Sequence, residues 1–265
     1  MKKYGLLLAF ITLVSFSIYG KSEDTLSTKE IFRPQILPKG MWMLTANKDF
    51  NFNVVTTFKD DDGEIYVFNI LTLIPAHSLS NRIMMPVFPL PFFNTRISKT
   101  DILDENKHWT KKPSIVLGFG ISGFNCFRND YSESHAYRIG LPLELSLTVK
   151  KLFSERVYYV GKISGLDYFL INPVENYAIS FIYNSIGFQF NEKIYSTIGY
   201  SLRGMGLVKE VKLITIGHDV PIEVGFHINK NVTITINFDL YIAQHGKTYI
   251  QEVQFPLAVG FTCQW

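Results

Sequence analysis

Six histidines, His77, His108, His135, His218, His227 and His245, are the side chains through which this sequence could do acid–base or metal chemistry near neutral pH. A hydrolytic set needs Ser or Asp beside one of them with a carboxylate to orient the ring, and a metal site needs three or four ligands brought together. The sequence has neither a nucleophile motif nor a metal-ligand spacing. His218 and Asp219 are adjacent, but neighbours on an extended strand point to opposite faces and cannot cooperate. The reading is therefore of a chain that is not an enzyme, with no catalytic residue, no metal and no cofactor. Chemistry of another kind is offered by Arg138, Glu144, Lys162, Arg203, Glu223 and Asp239, which interrupt runs that are otherwise apolar or small. Charges in such surroundings must be paired or reach water.

The runs that carry these residues alternate with period two. Val232, Ile234, Ile236, Phe238, Leu240 and Ile242 stand opposite Thr233, Thr235, Asn237, Asp239 and Tyr241. Tyr137, Ile139, Leu141, Leu143, Leu145, Leu147 and Val149 stand opposite Arg138, Gly140, Pro142, Glu144, Ser146, Thr148 and Lys150. Such alternation defines strands with one apolar and one polar face. The polar face is rich in Gly, Ser and Thr, which suits a crowded interior, and the runs match the ~9 to 11 residues that a tilted strand needs to cross a bilayer. The expected arrangement is inside-out: apolar side chains to lipid, polar side chains to a lumen.

Short connections at Phe153, at 191–193 and at 229–231 alternate with longer ones near 126–134, 168–176, 203–209 and 243–248. That is the pattern of an up-and-down antiparallel transmembrane β-barrel of the bacterial outer membrane, with short periplasmic turns and long external loops. Eight strands are expected at 114–124, 137–150, 156–167, 177–190, 194–203, 212–228, 232–242 and 250–265. A further hairpin from Trp42 to Phe58 and Glu64 to Ile74, turning at Asp60 to Gly63, makes ten, with eight as the alternative. Within 177–190 the apolar phase shifts, which predicts a bulge. Residues 75–113, with five prolines, read as a long connection, a plug or a rim segment.

Composition agrees with an exported membrane barrel. Lys2 and Lys3, the apolar stretch from Leu6 to Ile18 and the small Gly20 form a cleavable secretory signal over 1–20. Residues 21–40 follow as an N-terminal periplasmic extension, and 41–265 form the barrel, which the alternation defines most directly over 114–265. Lys plus Arg total 26 against 23 Asp plus Glu, and removal of Lys2 and Lys3 leaves 24 against 23, so nothing points to nucleic acid. Aromatic content of 15 % suits a lipid-facing surface. Cys126 and Cys263 fall at opposite ends of the barrel, beyond disulfide reach, with Cys263 read as a small lipid-facing residue.

In the last strand Val253, Phe255, Leu257, Val259, Phe261, Cys263 and Trp265 share one face. Here the sequence resembles the small outer-membrane barrel proteins of the OmpX and OmpW type, which end on an aromatic residue preceded by alternating apolar ones. It departs from them in Trp265, where Phe is commoner, and in Cys263. The resemblance implies that Phe255, Leu257, Val259, Phe261 and Trp265 are an assembly signal, and that the partners are outer-membrane lipid, the barrel-assembly machinery and periplasmic chaperones. Three functions follow in order of expectation. The first is a structural, barrier or surface-recognition role exerted through external loops, with the six charged residues as a network filling the lumen. The second is a narrow porin-like channel for small or apolar solutes, and the third a lipid-modifying enzyme.

Overall fold

A computed structural model describes residues 28–49, 58–59, 65–68, 71–86, 92–102, 108–121, 125–129, 137–170, 176–207, 212–245, 252–254 and 257–265. The expected signal peptide over 1–20 and the turn at Asp60 to Gly63 lie outside them. Among the described residues no helix is long and apolar enough to cross a membrane.

The chain forms an all-β, up-and-down antiparallel barrel whose wall has twelve strands, rather than the ten or eight expected. In chain order they are β1 (Trp42–Asp49), β2 (Leu71–Ser80), β3 (Ile83–Pro86), β4 (Phe92–Arg96), β5 (Ser114–Ile121) and β6 (Tyr137–Leu152). The second half comprises β7 (Val157–Leu170), β8 (Asn176–Gln189), β9 (Ile194–Leu207), β10 (Lys212–His227), β11 (Val232–His245) and β12 (Leu257–Gln264). Each strand pairs with the next, and β12 pairs with β1, where Met43 opposes Gln264, so the ring closes. Closure leaves the wall without an unpaired edge.

The two ends differ. One, the turn end, carries the connections at 81–82, 153–156, 190–193 and 228–231, together with Trp42 and Trp265, whose rings stack at 6.5 Å. Asn191 and Asn229 each fix their turn by accepting backbone N–H bonds from two residues further along. The other, the loop end, carries the longer connections, with Asn125–Asn129 and Ile65–Phe68 paired in succession beside β6.

The inverted polarity is visible in adjacent residues of β6: Leu145 is 61 % exposed and Ser146 5 %. Leu143 and Leu147 repeat the exposure, and Glu144 repeats the burial. Facing inward, aromatic rings lie over glycines on the next strand. The Tyr158 ring fills the space where a Cβ on its cross-strand partner Gly187 would sit, and the Tyr195 ring does the same over Gly225. Any side chain at either glycine would meet a ring carbon at about 2 Å.

Three further expectations on the wall are corrected. The pairing expected of 42–58 with 64–74 is present, with Lys48 opposite Leu71 and Phe58 opposite Tyr66, but the second limb runs on to Ser80 and puts His77 opposite Trp42. Residues 75–113 are no single connection: among the described residues they complete β2 and form the short β3 and β4, and 97–102 and 108–113 follow β4 and precede β5. Proline lacks the N–H that a ladder needs, so Pro75 and Pro86 disguised strands that contain them. The expected bulge in β8 is absent, since its register with β7 is continuous from Val157 opposite Phe188 to Phe169 opposite Asn176. Irregularities occur instead between Met205 and Gly206 and between Ser78 and Ser80.

Candidate functional site in the lumen

Parity and burial identify the lumen wall: Ser114, Glu144, Ser146, Lys150, Ser164, Ser185, Thr197, Ser201, Asp219 and Thr233 are all buried inside the ring. Two polar contacts organise its middle. Lys162 Nζ lies 2.6 Å from Glu144 Oε1, and the Tyr195 hydroxyl donates to Glu223 Oε1 at 2.8 Å. Asp239 stands on β11 opposite Pro221, one lumen-facing step from Glu223. Of the six charged residues singled out from sequence, the structure thus joins Glu144 with Lys162, and gives Glu223 a tyrosine partner instead of a cation. Arg138 and Arg203 occupy β6 and β9 at the parity of Glu144 and Ser201, with side chains outside the described set.

Residues 30–41 pack against the inner wall at the turn end of the lumen. A 3-10 turn at Glu30–Phe32 brings Ile31 into a cluster with Ile102, Leu152 and Tyr158, packed further against Phe32, Trp109 and Val160. A second cluster joins Ile36, Leu37 and Met41 to Ala76, Met84 and Val116. Polar contacts hold the segment between them. Lys150 Nζ donates to the carbonyls of Glu30 (2.8 Å) and Arg33 (3.1 Å) while lying 4.9 Å from the Tyr158 ring centroid. Arg33 Nη2 lies 3.1 Å from His227 Nδ1, and Arg33 pairs with Glu30 at 3.3 Å. Ile31 donates its N–H to Gln189 Oε1, and the Ser78 hydroxyl donates to the Leu37 carbonyl. The segment therefore bridges β2, β3, β5, β6, β7, β8 and β10 from inside.

This stopper was missed: residues 21–40 read as a periplasmic extension. Its signal was present in Ile31, Phe32, Ile36 and Leu37, a density of apolar side chains that a solvated extension does not carry. His227 faces the lumen near the turn end, where it also contacts Thr233 Oγ1 at 2.9 Å and stacks on Tyr195. His218 faces outward beside Tyr200, and His77 outward beside Trp42. Among the described residues no group of three or more His, Cys, Asp or Glu is placed to hold a metal. Of the expected assembly signal, Leu257 and Val259 are outward and exposed, and Trp265 stacks on Trp42, while Phe255 lies outside the described residues. Cys263 has outward parity but is buried, so it does not present the lipid-facing surface expected of it.

Fold and lumen together define the class: a closed, inside-out antiparallel β-barrel with a polar interior. No family model and no curated protein matches the chain. Among solved structures it is similar to the outer-membrane expressed OmpT of Vibrio cholerae, at 9 % identity over 85 % of this chain and 77 % of that one, TM-score 0.45. The outer membrane channel DcaP of Acinetobacter baumannii follows at 8 % identity over 85 % and 96 %, TM-score 0.40, and the NanC porin at 8 % over 84 % and 98 %, TM-score 0.41. Identities this low say nothing of activity.

Proposed function

We propose that the chain is a bacterial outer-membrane barrel that carries a narrow polar conduit, closed at its periplasmic turn end by residues 28–41. The observation that carries this reading is the twelve-strand ring with a lumen wall of small polar side chains. Eight strands close around little more than their own side chains, and twelve enclose more room, so an interior filled by a charge network is less favoured than eight or ten strands would make it. A lumen lined by Ser, Thr and paired charges passes small polar solutes, in place of the apolar ones considered from sequence. The barrel is read as non-catalytic, with the outward apolar residues of β12 as its handle for the assembly machinery and with lipid as its surroundings.

Planar-bilayer conductance tests the conduit. The full chain should be closed or nearly so, and a variant lacking residues 28–37 should conduct with small, salt-dependent steps. If the shortened barrel, shown to be folded by heat-modifiable gel mobility, is as silent as the full chain, the conduit reading fails. A structural or barrier role, which the firm seating of the stopper favours, then takes its place. Mass spectrometry of lipids incubated with the folded protein checks the non-catalytic reading, and any new lipid product overturns it.

A further inference from the structure

The outward face of β7 to β10 carries a polar stripe that neither lumen nor stopper uses. Tyr159 donates its hydroxyl to Asn184 Oδ1, Asn184 and Tyr200 are cross-strand partners, and the Tyr200 hydroxyl lies 2.7 Å from His218 Nδ1. Each strand contributes one residue, so the stripe runs in the hydrogen-bonding direction across the wall. Asn184, half-buried, sits between Ile182 and Ile186, and Tyr200 lies two residues from Ile198; these three isoleucines and Tyr200 are exposed on the outside. Strands tilted by roughly 35–45° and rising ~3.3 Å per residue climb about 2.5 Å of height per residue. Asn184 is six residues from Phe190 at the turn end. It therefore lies about 15 Å into an apolar band ~25 Å tall, near its middle.

Tyrosine hydroxyls satisfy only part of this stripe. Asn184 accepts at Oδ1, and its amide N–H groups have no partner among the described residues; His218, nine residues from His227 at the turn end, stands about 22 Å up, toward the loop-end edge of the band. At the depth of Asn184 neither water nor an acyl chain accepts a hydrogen bond, and a polar group left there is costly. Another protein surface can accept one, as polar side chains do between membrane segments.

We infer that this face is a self-association surface on which a second copy of the chain packs, an inference that rests on the outer-membrane reading. Lipid headgroups do not reach mid-span. The stripe holds no Asp, Glu, Lys or Arg and offers both donors and acceptors, so it is complementary to itself. A two-fold axis along the membrane normal returns every residue at its own depth. Asn184 and Tyr200 then meet their own counterparts, amide N–H to amide or hydroxyl oxygen. The flanks are smooth: Ile163, Ile182, Ile186 and Ile198 stand around it, and Gly165 leaves open space where a side chain would project.

The test uses the full chain with Cys126→Ser and Cys263→Ala, carrying either Ile182→Cys, outward beside Asn184, or Val259→Cys, the latter outward on β12 and off the stripe. Each is folded into phosphatidylcholine vesicles, checked by heat-modifiable mobility, and oxidised. Ile182→Cys should form covalent dimer about tenfold more than Val259→Cys, because association raises the local thiol concentration. In dilute vesicles the labelled parent should photobleach in two steps. Asn184→Leu with His218→Leu, which keeps the face apolar and removes its hydrogen bonds, should bleach in one. Equal crosslinking at both positions, or single-step bleaching of inserted parent protein, overturns the inference and leaves the barrel reading intact. Folded protein that does not enter the vesicles overturns the membrane reading itself, and this inference with it.

Discussion

Lys162 reaches Glu144 although the two are not opposite each other: the register places Lys162 against Thr148 and Glu144 against Leu166. The row between them is Ser146 against Ser164, both small and buried, and the ion pair closes over it. A turn centred on Phe153 would have put Glu144 and Lys162 face to face. The connection instead runs from Phe153 to Arg156, with the Phe153 N–H on the Val157 carbonyl, and this displaces the register by four residues.

The pair predicts a coupling. Glu144→Gln or Lys162→Met alone should lower stability by about 1–3 kcal/mol, because each leaves a charge or its desolvated partner unmatched in the lumen. The double change should cost less than the two single costs added together, by roughly 0.5 to 3 kcal/mol. Urea titrations of the barrel in lipid vesicles read both values. Strict additivity would mean that the contact does not hold in the folded barrel.

Tyr195 over Gly225 predicts a rescue. Gly225→Ala forces the ring from its place and should cost about 1–3 kcal/mol, as overpacking does. Gly225→Ala combined with Tyr195→Ala should be more stable than additivity predicts, since the added methyl then has room. Thermal unfolding of the three variants, followed by heat-modifiable mobility, decides between this and a glycine needed only for backbone freedom.

For the inside-out wall the expectation concerns Leu145. Leu145→Arg places a charge on the lipid face at mid-span and should cost roughly 2 to 4 kcal/mol of folding into lipid. A spin label at Leu145→Cys should be relaxed by oxygen dissolved in the hydrocarbon, and one at Thr148→Cys by a water-soluble nickel complex. The opposite pattern would mean that the barrel faces water.

Ile31 anchors the stopper against Ile102, Leu152 and Tyr158. It is fully buried, so Ile31→Ala should cost about 2–5 kcal/mol of docking. Hydrogen exchange should then rise across 28–41 while β6 to β11 keep their protection. Loss of protection in the strands as well would make the segment part of the wall's own stability.

How far the sequence revealed this molecule follows from where its rules apply. From β5 to β12, small polar residues alternate with Leu143, Leu145, Leu147 and their like, and the period alone locates the strands and their inward face. β3 and β4 have only four and five residues and lie among prolines, too short for a period to show. In β8, Tyr177, Ile179 and Tyr183 share the lumen parity with Ser185 and Gly187, so apolar character changes face without any break in the ladder. The Glu144–Lys162 pair was legible as two lumen charges, but the Tyr195–Glu223 contact was not, because tyrosines occur on both faces of the wall.

The stopper also sets an order of events. Its contacts join residues 158 positions apart at Ile31 and Gln189, and 194 apart at Arg33 and His227. Such contacts form late, since a long loop must close before they are made. No seat exists for Ile31 until β6, β7 and β8 stand side by side. The first described residues of the chain are thus the last to find their place, and the barrel passes through an interval, complete in its wall, in which its turn end stands open.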